Sequence, residues 1–384
     1  METHLPEDVG MSSERLARLS ALMEQFVKDN QMPGIMTLVQ RKGKVVQFGR
    51  YGMMDIDAGK PMQEDALFRL YSMTKPIVSV ALMMLFEEGR LSLNNPVSQY
   101  IPAFSQTKVD TGSKLVEQDP AIMLHHLLTH TAGLGSYGEP FVHRDQTLAE
   151  AVDQIAQQPL IYQPWTQWSY SSASDVLGYV IQVIADMPLV DFLEERIFRP
   201  LGMRDTVFHV PAEKLDRLAQ IYVSETPNNP IVLKPENVEL IGDVTIPTNC
   251  PSGGGGLVST LGDYLSFCNC LINNGQYEGG RLLSRKTLAW MTSNHMPREF
   301  MPLWLDPHLR NFGFGLGFRV ATSLGEARVL TSVGEYGWGG WAQTHFWIDP
   351  AEEFIGLMMS QHISAKKDSI TEHFQNLAYQ AIVD

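Results

Sequence analysis

From Pro76 to Phe86 the chain reads Pro-Ile-Val-Ser-Val-Ala-Leu-Met-Met-Leu-Phe, the strongest apolar helix pattern in the sequence. The run is well short of the ~20 residues of a bilayer span, so a helix this apolar calls for a protein core around it. Ser72-Met73-Thr74-Lys75 stands directly before it. A serine and a lysine three residues apart at the start of a helix share one face, about one turn from each other. Pro76 suits the first helical turn, where a missing N–H costs little. The serine backbone then lies near the positive end of the helix, where a developing oxyanion is favoured. The lysine enters an apolar, partly dehydrated environment. Solvated lysines are almost wholly protonated near neutrality, whereas burial disfavours the ammonium and makes a base available. This is the local geometry that a serine nucleophile with a lysine neighbour requires.

Ser-x-x-Lys alone is a weak pattern. Ser105-Gln106-Thr107-Lys108 and Ser364-Ala365-Lys366-Lys367 also match it. Ser105 falls in a Pro/Gly-bounded loop and Ser364 in a polar approach to the last helix, and neither has an apolar helix behind it. A surface serine beside a snorkelling lysine is the ordinary explanation for such isolated matches. Two further stretches carry possible chemistry. In Tyr170-Ser171-Ser172, a phenol can relay a proton when nearby cations favour its ionised form; a packed tyrosine beside a loop hydroxyl explains the triplet equally well. In Gly337-Trp338-Gly339-Gly340-Trp341, glycines let a strand edge approach a substrate and aim a backbone N–H at it. A twisted edge strand with packed indoles is the alternative.

Strand and helix periods divide the chain. Ser12 or Ser13 caps a first helix with Leu16, Leu19, Met23, Phe26 and Val27 on one face. Pro33-Gly34 ends it. Strands follow over Ile35 to Val39 and Val45 to Phe48, joined by a hairpin turn at Arg41-Lys42-Gly43-Lys44. From Leu70 to Arg199 the pattern is mostly helical, with helices expected over Met123–Thr129, Leu148–Gln157, Ser174–Ala185 and Leu189–Phe198. Val210 to Asn249 reads as irregular excursions, and helices return over Leu261–Ile272 and Ser284–Met291. Strands are expected over Phe314–Ala321, Arg328–Ser332, Thr344–Ile348 and Phe354–Met359, before a closing helix with Ile370, Phe374, Leu377 and Ile382 on one face. The expected fold is mixed α and β: a mainly antiparallel sheet built from both termini and flanked by helices, plus a mostly helical part. That gives one domain from residues 1–70 and 235–384 and another from 71–234, with the active site at their interface.

A formal net charge of −14 argues against nucleic-acid binding, because phosphate backbones attract clustered Lys and Arg. Three cysteines, Cys250, Cys268 and Cys270, form no framework spacing and read as free thiols in a reducing compartment. The first residues lack a basic start and an apolar core of a signal peptide, so the expected location is cytoplasmic, without membrane attachment. His125, His126 and His130 invite a zinc reading, since His126 and His130 stand at i, i+4, yet the glutamate of His-Glu-x-x-His is missing, so no metal is expected. Gly253 to Gly256 lack the Gly-Lys-Ser/Thr ending of a phosphate loop, and close backbone packing is their expected use. No Gly-x-Ser-x-Gly occurs, which disfavours a nucleophile elbow.

Taken together, Ser72-Met73-Thr74-Lys75, Tyr170-Ser171-Ser172 and Trp338-Gly339-Gly340 resemble, in order and approximate spacing, the three motifs of serine β-lactamases and penicillin-binding proteins. His126-Leu127-Leu128-Thr129-His130-Thr131-Ala132-Gly133-Leu134 and Ser252 to Leu257 extend the likeness to the class C branch, over nearly the whole chain. Two departures matter. Ser172 stands where class C β-lactamases have Asn, and Trp338 stands where the third motif usually has Lys. The second removes the cation that would meet the carboxylate of a β-lactam or a D-Ala terminus; an indole favours neutral, apolar groups. Trp-Gly-Gly here is similar to the family VIII carboxylesterases and related acyltransferases.

The resemblance implies a β-lactamase/transpeptidase-like fold and a cofactor-free serine hydrolase acting on small neutral acyl esters. Ser72, Lys75 and Tyr170 are its expected catalytic residues. The Ser72 and Trp341 amides are the expected oxyanion hole, and Trp338, Gly339, Gly340 and Ser172 the expected substrate contacts. Acyl transfer to an alcohol or amine, β-lactam or D-amino-acid peptide hydrolysis, and a non-catalytic binding protein are the alternatives.

Overall fold

The computed structural model describes residues 1–135, 145–224, 231–232, 242–301, 303, 312–364 and 370–384. Lys42 and Gly43 both have positive φ, 48° and 75°, as a two-residue hairpin loop of this twist requires. They turn β1 (Gly34–Arg41) into β2 (Lys44–Asp55), which continues into the short β3 (Lys60–Pro61). The C-terminal third supplies β4 (Phe312–Phe314), β5 (Arg319–Ala321), β6 (Tyr336–Gly339), β7 (His345–Asp349) and β8 (Phe354–Ser360). All eight join one sheet in the order β4-β5-β6-β7-β8-β1-β2-β3, with every neighbouring pair antiparallel. Ile35 faces Ser360 and Arg41 faces Phe354, so strands from the two ends of the chain meet in the sheet.

The helices that position the site and cover the sheet are α1 (Ser13–Lys28), α2 (Thr74–Glu87), α3 (Leu124–Leu128), α4 (Leu148–Gln157), α5 (Ala173–Ala185), α6 (Leu261–Ile272) and α7 (Ile370–Tyr379). Ser12 caps α1, its hydroxyl accepting the Arg15 N–H at 3.3 Å. Side chains of the central strands alternate between two cores, as the period-two pleat demands. Ile35, Val39, Trp347, Phe354 and Met358 pack with Leu16, Leu19 and Met23 of α1 and Phe374 of α7. Met36, Leu38, Phe346, Ile348, Ile355, Leu357 and Met359 face the other way, in one core with α2 and with Tyr264 and Phe267 of α6. Burial of both faces explains why β8 is an almost unbroken apolar run.

Some expected boundaries shift for identifiable reasons. Phe314–Ala321 is two strands, because Gly315–Gly317 turns the chain between β4 and β5. Gly317 has φ 90°, and a Cβ there would lie 2.1 Å from Ser79 Oγ of α2, so the turn presses its backbone onto that helix. Arg328–Ser332 is no strand. Leu324–Ala327 forms a short helix, Arg328 closes it with φ 58°, and Leu330 and Val333 stay about half exposed or more, at 49% and 60%. The strand between β5 and β7 is instead β6, Tyr336–Gly339. Beyond Leu193 the helix from Leu189 widens into a π turn over Glu194–Phe198. Within Val210–Asn249, Tyr222–Ser224 pairs in parallel with His362–Ser364. Lys234 and Pro235, where the two domains were expected to divide, lie outside the described residues, as do Lys366 and Lys367 of the third Ser-x-x-Lys match. Cys250, Cys268 and Cys270 are buried and form no disulfide. Among the described residues, no single helix is long and apolar enough to cross a membrane.

Gly356 of β8 makes room for an indole. A Cβ there would sit 2.2 Å from Trp347 Cζ2, and the Trp347 ring is held between Phe354 and Phe374 at centroid distances of 6.1 and 5.0 Å. Gly356→Ala is expected to destabilise the fold by about 1–3 kcal/mol, the usual cost of overpacking. Equilibrium denaturant unfolding checks this; a stability equal to wild type would contradict the packing described.

Candidate active site

Every residue from Thr74 to Leu85 is buried, so α2 has no solvent face over three turns and Lys75 enters the core with it. Lys75 is 2% exposed. Its Nζ donates to Ser72 Oγ at 3.3 Å and to the Gly254 carbonyl at 2.5 Å, and lies 4.6 Å from the centroid of the Tyr170 ring. A buried ammonium needs such partners, since an unpaired one would be strongly penalised.

Ser72 sits in a one-turn 3-10 helix, Tyr71–Met73, that leads into α2. Tyr71 carries φ 47°, a conformation that L side chains rarely adopt. Both flanks hold it. Phe68–Arg69 pairs with Val258–Ser259 and the Leu70 N–H donates to Leu257 O at 2.8 Å. On the other side, Tyr264 Oη donates to Met73 O at 3.0 Å.

β6 brings the third motif to the same place. Trp338 and Gly339 pair with Phe346 and His345 of β7, whereas the ladder to β5 stops at Gly337. The strand is therefore interior by position, yet it has a free edge where the motif lies. A Cβ on Gly340 would meet Leu70 O at 2.4 Å and Thr344 Oγ1 at 2.1 Å, and Thr344 Oγ1 itself donates to Leu70 O at 3.2 Å. Gly340 thus lets the end of β6 close on the turn that carries Ser72. Trp341 follows, 48% exposed, with its ring edge-on to Tyr71 at 5.7 Å.

Tyr170 completes the cluster. Its hydroxyl accepts from Trp338 Nε1 at 3.4 Å, and its ring lies 4.7 Å from His130 and 6.4 Å from Trp168. Phe314 of β4 packs on Trp338, Trp168 and His130. His130 is buried, has φ 55°, and places Nδ1 3.3 Å from Ser171 Oγ. Burial, then the charge of Lys75, hold its imidazole well below the usual range, so it is neutral near pH 7. Ser172 is buried directly before α5, its carbonyl accepting the Asp175 N–H at 3.0 Å.

Gly253 and Gly254 seat the glycine turn on α5. A Cβ on Gly253 would lie 2.4 Å from Ser174 O, so this turn packs backbone against backbone. Asp175 anchors it, with Oδ1 accepting from Ser252 Oγ at 2.7 Å and from the Gly254 N–H at 3.0 Å. His130 and Asp175 carry no motif of their own as site residues. The one available signal for Asp175 is an acid in the first turn of a helix otherwise rich in apolar residues.

Other candidates separate from this cluster. Ser105 Oγ donates to Pro102 O at 2.8 Å, and Lys108 is ion-paired with Glu117 at the surface. His125 Nε2 lies 3.1 Å from His295 Nδ1, while His126 Nδ1 accepts the Met123 N–H at 3.2 Å and its ring stacks on Trp165. Burial above all lowers both imidazoles to about 4. Among the described residues, no group of three or more His, Cys, Asp or Glu is arranged to hold a metal ion.

A family model described as beta-lactamase matches residues 19–379. Esterase EstB of Burkholderia gladioli is 35% identical over 368 residues, covering 89% of this chain and 88% of that protein. A putative D-alanyl-D-alanine carboxypeptidase of Escherichia coli K12 is 28% identical over 383 residues, covering 92% and 84%. Among solved structures, EstCE1, described as a hydrolase with promiscuous acyltransferase activity, superimposes with a TM-score of 0.82 at 25% identity, covering 95% of this chain and 99% of that one.

Gly340→Ala is expected to push the end of β6 off Leu70 and to slow labelling of Ser72 by a fluorophosphonate about 10–100-fold, as small misplacements of reacting groups do. Gly339→Ala, whose Cβ would meet His345 Nδ1 at the milder distance of 3.1 Å, is expected to slow it less. Labelling rates for the two variants, with melting curves alongside, test the order.

Proposed function

The chain belongs to the beta-lactamase family and is a serine hydrolase, and from that premise we propose that it is a carboxylesterase acting on small, neutral acyl esters through an acyl-enzyme at Ser72. The observation that carries this reading is the buried Lys75 ammonium within 3.3 Å of Ser72 Oγ, beside the Tyr170 ring. In the proposed reaction the Lys75–Tyr170 pair first sheds one proton to solvent, and then takes the Ser72 proton as Ser72 Oγ attacks the ester carbonyl. These two act as one coupled unit whose titration belongs to the pair. The Ser72 and Trp341 amides receive the oxyanion of the tetrahedral intermediate. Collapse breaks the C–O bond to the alcohol, which leaves with a proton from the same unit. Water then attacks the acyl-enzyme, its proton taken by the unit, and the carboxylic acid departs as Ser72 regains a proton.

Preference for neutral substrates is supported by the wall of the cluster. Trp338, Tyr170, Trp168 and Phe314 are aromatic neighbours, and Trp338 stands where a cation would receive a carboxylate. Arg319 of β5 is no substitute, being committed to a buried ion pair with Glu335 at 2.9 Å. The 35% identity to an esterase points the same way. Acyl transfer to an alcohol is the second reading, favoured by the likeness to EstCE1.

Ser72→Ala is expected to cut turnover of a short p-nitrophenyl ester by at least about a thousandfold while the melting curve stays close to wild type. Lys75→Ala is expected to be nearly as severe; unchanged kinetics would remove Lys75 from the mechanism. Rates of ester hydrolysis, of acyl transfer to added alcohols and of nitrocefin opening, measured side by side, should rank hydrolysis first and nitrocefin last. A reversed order would favour the β-lactam reading.

A further inference from the structure

Asp175 is an acid that the reaction above leaves without a task. It lies in the first turn of α5 and is 1% exposed. Both contacts of its Oδ1 are to donors, Ser252 Oγ–H at 2.7 Å and the Gly254 N–H at 3.0 Å. Its Oδ2 is buried with no hydrogen-bond partner among the described residues. A carboxylate accepts from both of these donors and has no proton of its own to place. Burial pushes the Asp175 carboxyl up, while the Ser252 hydroxyl, the charge of Lys75 and the Gly254 N–H pull it back down.

The same glycine reaches the site. Gly254 gives its N–H to Asp175 and its carbonyl to Lys75 Nζ. One residue without a side chain therefore links the buried anion to the buried cation, on a turn seated against α5 at Ser174 and Gly253. The other titratable groups facing Lys75 are Tyr170 and His130, the latter kept neutral by burial and by Lys75 itself. Asp175 thus supplies the negative charge that this ammonium faces.

We propose that Asp175 is a positioning residue: its carboxylate is the buried counter-ion of Lys75, fixes the Gly254 carbonyl against the ammonium, and sets the pH at which Ser72 becomes reactive. The inference rests on the Ser72–Lys75 reading. A nearby negative charge favours the protonated form of the Lys75–Tyr170 unit. Removing that charge makes the proton easier to lose, so the acid limb of reactivity moves to lower pH.

The test is the rate of Ser72 labelling by a fluorophosphonate as a function of pH, which needs no knowledge of the natural substrate. In this reaction Ser72 Oγ forms a bond to phosphorus as fluoride leaves, and the serine proton passes to the Lys75–Tyr170 unit. Asp175→Asn keeps an oxygen able to accept from Ser252 and Gly254 but lacks the charge. Its acid-limb midpoint is expected about one unit below wild type, a tenfold gain at low pH relative to its own plateau. A midpoint within about 0.2 of wild type would overturn the proposal, whatever the plateau. If Asp175→Asn does not fold, Lys75→Met decides by melting. Its deficit relative to wild type should grow as pH rises from 5 to 8, because the stranded carboxylate is tolerated only when protonated; a deficit independent of pH overturns the proposal. Absence of labelling in the wild-type protein at every pH is a different result and would strike the Ser72 reading itself.

Discussion

Burial of one ammonium governs the organisation of this molecule. α2 is enclosed on all sides from Thr74 to Leu85, and Lys75 is 2% exposed. Removing such an ion from water costs several kcal/mol even after relaxation. Its compensation comes from parts of the chain far apart in sequence: the Ser72 hydroxyl, the Gly254 carbonyl and the face of Tyr170. Each of these must arrive with its own supporting contacts. The strand pair Phe68–Arg69 with Val258–Ser259, the glycine turn on α5 and the loop around His130 are those supports.

Some of the chain's backbone strain lies in these supports. Tyr71 next to Ser72, His130 beside Tyr170 and Trp165 near the same loop all have positive φ, at 47°, 55° and 61°. None is a glycine, so each costs of order 1–3 kcal/mol and persists only when its surroundings over-determine it. The surroundings do so by backbone hydrogen bonds: Leu70 N–H to Leu257 O, Trp165 N–H to Thr131 O and Ser169 N–H to His130 O, each between 2.8 and 3.0 Å. A turn held this way presents Ser72 in one orientation. The strain is thus a consequence of assembling the partners of one buried cation from separate loops.

Much of this was legible in the sequence where local rules act together. Leu148–Gln157 and Leu261–Ile272 are read to the residue, because an apolar period coincides with a cap: Thr147 accepts the Glu150 N–H and Thr260 the Asp263 N–H. The antiparallel sheet followed from hairpin-like spacing in the last third. Arg328–Ser332 misled because alternation signals a strand only when one side of it is buried, and Leu330 faces solvent. The clustering of Ser72, Lys75, Tyr170 and Trp338 is visible as motifs, but the bonds that orient them are not. Thr344 to the Leu70 carbonyl joins residues 274 apart, and Gly254 to Lys75 joins residues 179 apart. No pattern within a window of sequence encodes such pairings, and Asp175 was hidden for the same reason.

Trp338 changes more than the fit of a substrate. A lysine at that position would set a second ammonium near Tyr170, whose hydroxyl now accepts the indole N–H at 3.4 Å. Two buried cations around one phenol would repel each other and favour proton loss from the Lys75–Tyr170 unit. With an indole instead, that repulsion is absent. The unit that takes the serine proton is also the proposed source of the proton that the alkoxide leaving group needs as it departs. The indole that stands where a cation would receive a carboxylate therefore also bears on the electrostatic terms of the proposed nucleophile.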